Sequence, residues 1–108
     1  TPDVEDFVRE ARELQVERQG VLNSEVPEVW IRTESRITDS ARTLLSEAIR
    51  RLGMSARGYV RVLRVSRTIA DLERREEITD EVVAEAVSYR SLERLAHIVH
   101  SGGVGAAR

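Results

Sequence analysis

The apolar residues of segment 41–72 recur at steps of three and four, and the repeat is interrupted once, at Gly53-Met54-Ser55. This spacing predicts two amphipathic α-helices, one from residue 38 or 39 to about 52 and one from 56 to about 74. Ser55 stands where a hydroxyl caps a helix start, and Gly53 where a glycine ends one. Apolar residues cover a wide arc of the second helix, so we expect it to lie at the centre of the fold.

Two weaker helical patterns flank this pair, over residues 3–18 and from Thr79 onward. Residues 20–37, called the connector below, are irregular, since Pro27 argues against a helix through that point and only a short turn is expected at 28–32. The face of the first helix that is predicted to be buried consists of Val4, Phe7, Val8, Ala11 and Leu14. No segment shows the alternation of apolar and polar residues that predicts a β-strand. The sequence therefore predicts an all-α bundle of four main helices.

The composition excludes several classes of protein. The 108 residues contain no cysteine, which excludes disulfides and thiolate metal sites. No apolar run approaches the ~20 residues of a membrane span, and the N-terminus does not resemble a signal peptide. A start at Thr1 rather than methionine is compatible with a piece of a longer protein. We expect one domain of a soluble, cytoplasmic protein with no membrane partner.

Positive charge is concentrated in one part of the chain. The net charge is −2, yet the stretch between Glu47 and Asp71 holds six arginines and no acidic residue. This arginine segment contains Arg50, Arg51, Arg57, Arg61, Arg64 and Arg67. Such a strip suggests an anionic partner, either phosphate groups or an acidic protein surface. Within it, Arg50, Arg51 and Arg67 are predicted to be solvated surface.

Arg57, Arg61 and Arg64 follow the i, i+4, i+7 spacing and form one stripe on the predicted helix. Two interpretations of the stripe remain open, namely a solvated surface paired with neighbouring helices and a phosphate-binding surface. Arg57 lies in the first helical turn, where free N–H groups and the helix dipole also attract anions. A cation at that position is mildly unfavourable for the helix itself, which indicates a role other than stability.

The sequence shows no complete active site. It contains no Gly-x4-Gly-Lys-Ser/Thr phosphate loop and no serine–histidine arrangement suited to nucleophilic catalysis. His97 and His100 share one predicted helix face, but two histidines without a third ligand do not predict a metal site. Turn and helix-start positions explain the acidic cluster of Glu73, Glu76, Glu77 and Asp80 more simply than acid–base catalysis does.

Several short motifs occur in the order found in a known family. Residues 51–59 read RLGMSARGY, residues 61–72 read RVLRVSRTIADL and residues 83–94 read VAEAVSYRSLER. These motifs resemble the C-terminal domain of magnesium-chelatase-related AAA+ ATPases of the ComM/YifB type. Residues 11–23, with Ala-Arg, Arg-Gln-Gly and Leu-Asn, resemble the segment that links the ATPase core to the lid in that family. The resemblance covers about residues 9–94.

The resemblance implies a fold and a division of the chain. The implied fold is a four-helix bundle of the AAA+ lid type, which packs on a nucleotide-binding core that this sequence lacks. Residues 1–37 would link that core to the lid, residues 38–96 would form the lid, and residues 97–108 would be a flexible tail. Met54 stands where the family pattern would place a leucine, a swap that conserves volume.

The resemblance also implies a site. The Ser-Ala-Arg motif matches at Arg57, the sensor-2 arginine of the family, whose implied role is to contact the γ-phosphate of ATP. Arg61 and Arg64 are candidate supporting residues for nucleotide binding. Nothing suggests that the chain is catalytic alone or that ATP and Mg²⁺ bind to it without the core. The site would be completed by an ATPase core outside this sequence.

For the whole protein, the resemblance implies a ring-shaped ATPase, a homo-hexamer whose partners are its own core, neighbouring subunits and, as a candidate, DNA. Its implied role is DNA processing or branch migration during natural transformation, whereas the chelatase relationship would suggest metal insertion into a porphyrin. The residues themselves leave open a different class of function, a stand-alone helical module that binds DNA or an acidic protein surface through the arginine segment.

Overall fold

Five helices make up most of the chain that the computed structural model describes, residues 4–89. They are α1 (Val4–Gln19), α2 (Glu28–Glu34), α3 (Asp39–Arg51), α4 (Ala56–Leu72) and α5 (80–89). The predicted all-α class is confirmed, since residues 4–89 form no β-strand. The number of helices differs from the prediction because residues 28–34, expected to form only a short turn, continue as helix directly after Pro27. The tail predicted for residues 97–108 lies outside the described part of the chain.

The central position predicted for α4 is confirmed. This helix contacts α1, α2 and α3, and the side of it that faces them carries Val62 and Leu63, which are almost completely buried. The partners of α4 in the core include Ile31 from α2, Leu45 from α3 and Val83 from α5. Because helices meet α4 from several directions, its N-terminal turn is held in a fixed place relative to the rest of the fold.

Local signals determine where α3 and α4 begin. The hydroxyl of Thr38 accepts a hydrogen bond from the backbone N–H of Ala41 at 3.1 Å, and the hydroxyl of Ser55 accepts one from Gly58 at 3.4 Å. Both are N-caps, which satisfy a backbone donor that the helix itself leaves free. Gly53 has φ +65°, a conformation that glycine adopts without strain, and it turns the chain from α3 towards α4.

The burial predicted for α1 is largely wrong. Of its apolar face only Ala11 is buried, whereas Val4 is 73% exposed and Phe7, Val8 and Leu14 are also exposed. The second buried residue of α1 is polar, Gln15. An amphipathic pattern identifies which face of a helix is apolar, but it does not show that a neighbouring element covers that face. Within residues 4–89, polar contacts supply much of what holds α1 to the fold.

Candidate anion-binding site at the start of α4

Two members of the arginine segment are surface residues, as the sequence predicts. Arg50 and Arg51 lie in the last turn of α3 and both contact the carboxylate of Glu47, in the case of Arg51 at 3.6 Å. Both arginine side chains are more than two-thirds exposed. Exposed ion pairs within one helix contribute little to stability, and their charge stays accessible to solvent. These two residues give α3 a basic end without forming a defined site.

The prediction that Arg67 is a solvated surface residue is wrong. Its side chain is 2% exposed, and its guanidinium lies 3.1 Å from the carboxylate of Asp71, which is fully buried. The Nη atoms of Arg67 also donate to three backbone carbonyls, those of Ser35, Arg75 and Glu76, at 2.7–2.9 Å. A charge can be buried in this way because it is both paired and hydrogen-bonded. Arg67 is therefore a structural residue and is not available to a ligand.

Arg64 is half-buried, and its guanidinium is hydrogen-bonded to the connector. One of its Nη atoms donates to the carbonyls of Asn23 and Val26, both at 2.8 Å. These two bonds hold the start of the connector against α4. Arg64 and Arg61 line the same open groove beside α4, together with apolar residues such as Val65. The structure thus places these two sequence candidates side by side, and Arg57 is not among the residues that line the groove.

Arg57 and Arg61 are the two members of the arginine segment whose side chains are exposed and have no ion pair or hydrogen bond among residues 4–89. Arg57 is the second residue of α4, within its first turn. That turn is buttressed by α2, because Arg32 stacks over the ring of Tyr59 at 5.2 Å from its centroid. An uncompensated guanidinium beside a helix N-terminus, on a fixed support, is well suited to bind a phosphate oxygen.

Replacing Ser55 with alanine tests how the first turn of α4 is held. Loss of the cap should lower the free energy of unfolding by about 1 kcal/mol, because the N–H of Gly58 loses its partner. Chemical denaturation followed by circular dichroism measures this change. Ser46→Ala is a matched control, since Ser46 is exposed in the interior of α3, where alanine favours the helix. Equal stability of the Ser55→Ala and parent chains would contradict the capping role.

Residues 4–89 contain neither a membrane-spanning helix nor a cluster of metal ligands. No helix in this part of the chain is long and apolar enough to cross a membrane. No group of three or more His, Cys, Asp or Glu side chains among these residues is arranged to hold a metal ion. His97 and His100, the pair considered from the sequence, lie outside the described residues.

Comparisons with known proteins identify the family to which the chain belongs. Residues 1–90 match the model of the family described as magnesium chelatase, subunit ChlI C-terminal. Over 92 residues the chain is 39% identical to competence protein ComM of Haemophilus influenzae and 38% identical to the uncharacterized protein YifB of Escherichia coli. It is 36% identical over 85 residues to YifB of Salmonella typhimurium. No solved structure gives a significant match.

The family match covers most of the chain, and the chain therefore belongs to the magnesium chelatase subunit ChlI C-terminal family, as a C-terminal domain of the ComM/YifB type. The two 92-residue matches cover 85% of this chain but only 18% of each relative. The chain thus spans less than a fifth of the length of these relatives.

Proposed function

We propose that this chain is the helical lid of a magnesium-chelatase-related AAA+ ATPase and that Arg57 is its sensor-2 arginine. The observation that carries this proposal is the state of Arg57, which is exposed, lies in the first turn of α4 and has no partner among residues 4–89. The family assignment and the Ser55-Ala56-Arg57 motif support it. In this role the guanidinium would contact the γ-phosphate of ATP held by the ATPase core.

The proposed chemistry is electrostatic. A guanidinium that contacts the phosphoryl oxygens stabilises the negative charge on them. The Ser55 cap and the contact of Arg32 with the Tyr59 ring hold the backbone of the turn that carries Arg57, whose side chain is exposed. When the γ-phosphate leaves, Arg57 loses its partner, so the position of the lid would depend on which nucleotide is bound.

We propose that Arg61 and Arg64 are supporting residues with different roles. Arg61 is exposed one turn after Arg57 and unpaired among residues 4–89, so it can add positive potential or a second contact. Arg64 already donates to the connector, so its contribution would come through the position of α4. In this proposal Mg²⁺ accompanies ATP and takes its ligands from the core and the nucleotide.

The role of the whole protein is proposed from its relatives. We propose a cytoplasmic role in DNA processing or branch migration during natural transformation; the name of the Haemophilus influenzae relative, competence protein ComM, supports the link to competence. The ring would be a homo-hexamer in which residues 1–37 join each lid, residues 38–96, to its core. The family description instead favours metal insertion into a porphyrin. We propose the first role because the three relatives described above are of the ComM/YifB type.

Nucleotide affinities of the full-length ATPase test the proposal. Arg57→Ala should weaken ATP binding by roughly tenfold or more, because a charge-assisted hydrogen bond to the γ-phosphate is lost. ADP lacks that phosphate, so its affinity should not change. Titration calorimetry with a non-hydrolysed ATP analogue and with ADP measures both. Equal weakening of the two nucleotides would show that Arg57 does not distinguish the γ-phosphate.

The same free arginines favour one alternative, a helical module that binds DNA phosphates directly. This alternative predicts that the 108-residue chain binds duplex DNA by itself. For each tenfold rise in salt concentration, the logarithm of the binding constant should fall by about 0.9 for every phosphate that the chain contacts. Fluorescence anisotropy with a labelled duplex measures this dependence, and Arg57→Ala with Arg61→Ala should reduce its slope. No binding at low salt would exclude the alternative.

A further inference from the structure

The attachment of α1 to the fold depends on its last turn. Val4 is 73% exposed, and Phe7, Val8 and Leu14 are 38–42% exposed, so these apolar side chains bury only part of their surface. Near the middle of α1, Glu10 pairs with Arg74, but both side chains are exposed, and such a pair contributes little. At the C-terminal end of α1, Arg18 instead reaches into the buried polar cluster around Asp71.

Arg18 holds Asp71 with two parallel hydrogen bonds. Its Nη1 lies 2.8 Å from Oδ1 and its Nη2 lies 3.1 Å from Oδ2 of the carboxylate. Bidentate arginine–carboxylate pairs fix geometry as well as adding energy. The guanidinium also lies 5.9 Å from the ring centroid of Trp30 in α2. Arg18 therefore joins α1 to α4 and touches α2 from the same position.

Asn23 closes the cluster from the connector. Its side-chain amide donates to Asp71 at 2.9 Å and to the hydroxyl of Thr68 at 3.1 Å. Its backbone N–H donates to the side-chain carbonyl of Gln15 at 2.9 Å. The first residues after α1 are thus bonded both to α1 and to α4. The connector has little freedom to change the angle between these helices while Arg18 remains in place.

We propose that Arg18 is a positioning residue for Arg57, because it makes α1 and α4 move as one body. This inference rests on the proposed function, in which Arg57 senses the nucleotide. Asp71 and Arg57 belong to one unbroken helix of 17 residues, and they are about 20 Å apart along it at 1.5 Å per residue. A displacement of Arg57 towards a phosphate would therefore be carried through α4 to Asp71, and through Arg18 to α1.

Arg18→Ala isolates this role. The substitution removes the direct bonds from α1 to Asp71 but leaves Asp71 paired with Arg67, and it leaves the indirect connection through Asn23 in place. Arg9→Ala is the matched control, because Arg9 lies on the same helix and, among residues 4–89, its ion pairs are all within that helix, with Asp6 and Glu13. We therefore expect Arg18→Ala, and not Arg9→Ala, to make α1 mobile relative to α4.

Distances between spin labels test the rigidity in the 108-residue chain, which has no native cysteine. Labels at Arg12→Cys and Ala56→Cys, both exposed, report the distance between α1 and α4. Labels at Arg42→Cys and Ala56→Cys report α3 relative to α4 and show whether the core remains folded. We expect Arg18→Ala to broaden the α1–α4 distribution at least about twofold while the α3–α4 distribution stays narrow. Arg9→Ala should change neither distribution.

The full-length ATPase supplies the functional measurement. Arg18→Ala should lower kcat roughly tenfold while KM for ATP stays within about twofold, because coupling between α4 and α1 is lost and the phosphate contact is not. An unchanged α1–α4 distribution would overturn the proposal, and so would a broadened distribution with unchanged kcat. If the proposed function itself is wrong, Arg57→Ala rather than Arg18→Ala reveals it, since its turnover would then match the parent enzyme.

Discussion

Asp71→Asn is expected to lower the free energy of unfolding by about 3–5 kcal/mol, a large part of the stability of a domain this size. The change keeps the shape of the side chain but removes its charge. Arg67 would then remain buried, 2% exposed, and Arg18 would lie beside it with no anion between them. Burial already lowers the pKa of the Arg67 guanidinium, and the charge of Asp71 opposes that shift. Urea denaturation followed by circular dichroism measures the loss.

Asp6→Asn provides the control for this experiment. Asp6 also pairs with an arginine, at 2.9 Å, but the pair with Arg9 is exposed on the surface of α1. We expect that change to cost no more than about 1 kcal/mol. Similar stabilities for Asp71→Asn and Asp6→Asn would show that the buried cluster does not hold the fold together. A much larger loss for Asp71→Asn would show that the buried cluster contributes substantially to the stability of the fold.

Local signals account for the parts of the fold that were predicted correctly. The starts of α3 and α4 follow from Thr38 and Ser55, whose hydroxyls cap these helices within three residues of sequence. The exposure of Phe7 and Leu14 could not be predicted, because periodicity reports the apolar side of a helix and not what packs against it. The helix at residues 28–34 was missed because its pattern is short and follows a proline.

The candidate site was only partly visible in the sequence. The first-turn position of Arg57 is a local property and was predicted. The buried pair of Arg67 and Asp71 has the i, i+4 spacing of a helical ion pair, so a signal existed, but charge patterning alone does not indicate burial. Arg18 meets Asp71 across 53 residues of sequence, and no spacing rule links positions that far apart. Packing brings them together.

Arg57→Ala is expected to lower ATP turnover by the full-length ATPase on the order of 100-fold, the cost of losing one charged donor that stabilises the transition state. The lid should stay folded, because the exposed side chain of Arg57 has no ion pair or hydrogen bond among residues 4–89. Removing a cation from the first turn of a helix is neutral or slightly favourable for that helix. The loss would therefore report chemistry and not unfolding, which thermal denaturation of the variant can verify.

Arg42→Ala is the matched control, since Arg42 is an exposed arginine in the first turn of the neighbouring helix α3 and is unpaired within the described residues. The most direct test of the account is kcat for ATP hydrolysis, measured side by side for the parent enzyme, Arg57→Ala and Arg42→Ala. We expect a loss on the order of 100-fold for Arg57→Ala alone. Turnover of Arg57→Ala equal to that of Arg42→Ala and the parent enzyme would contradict it.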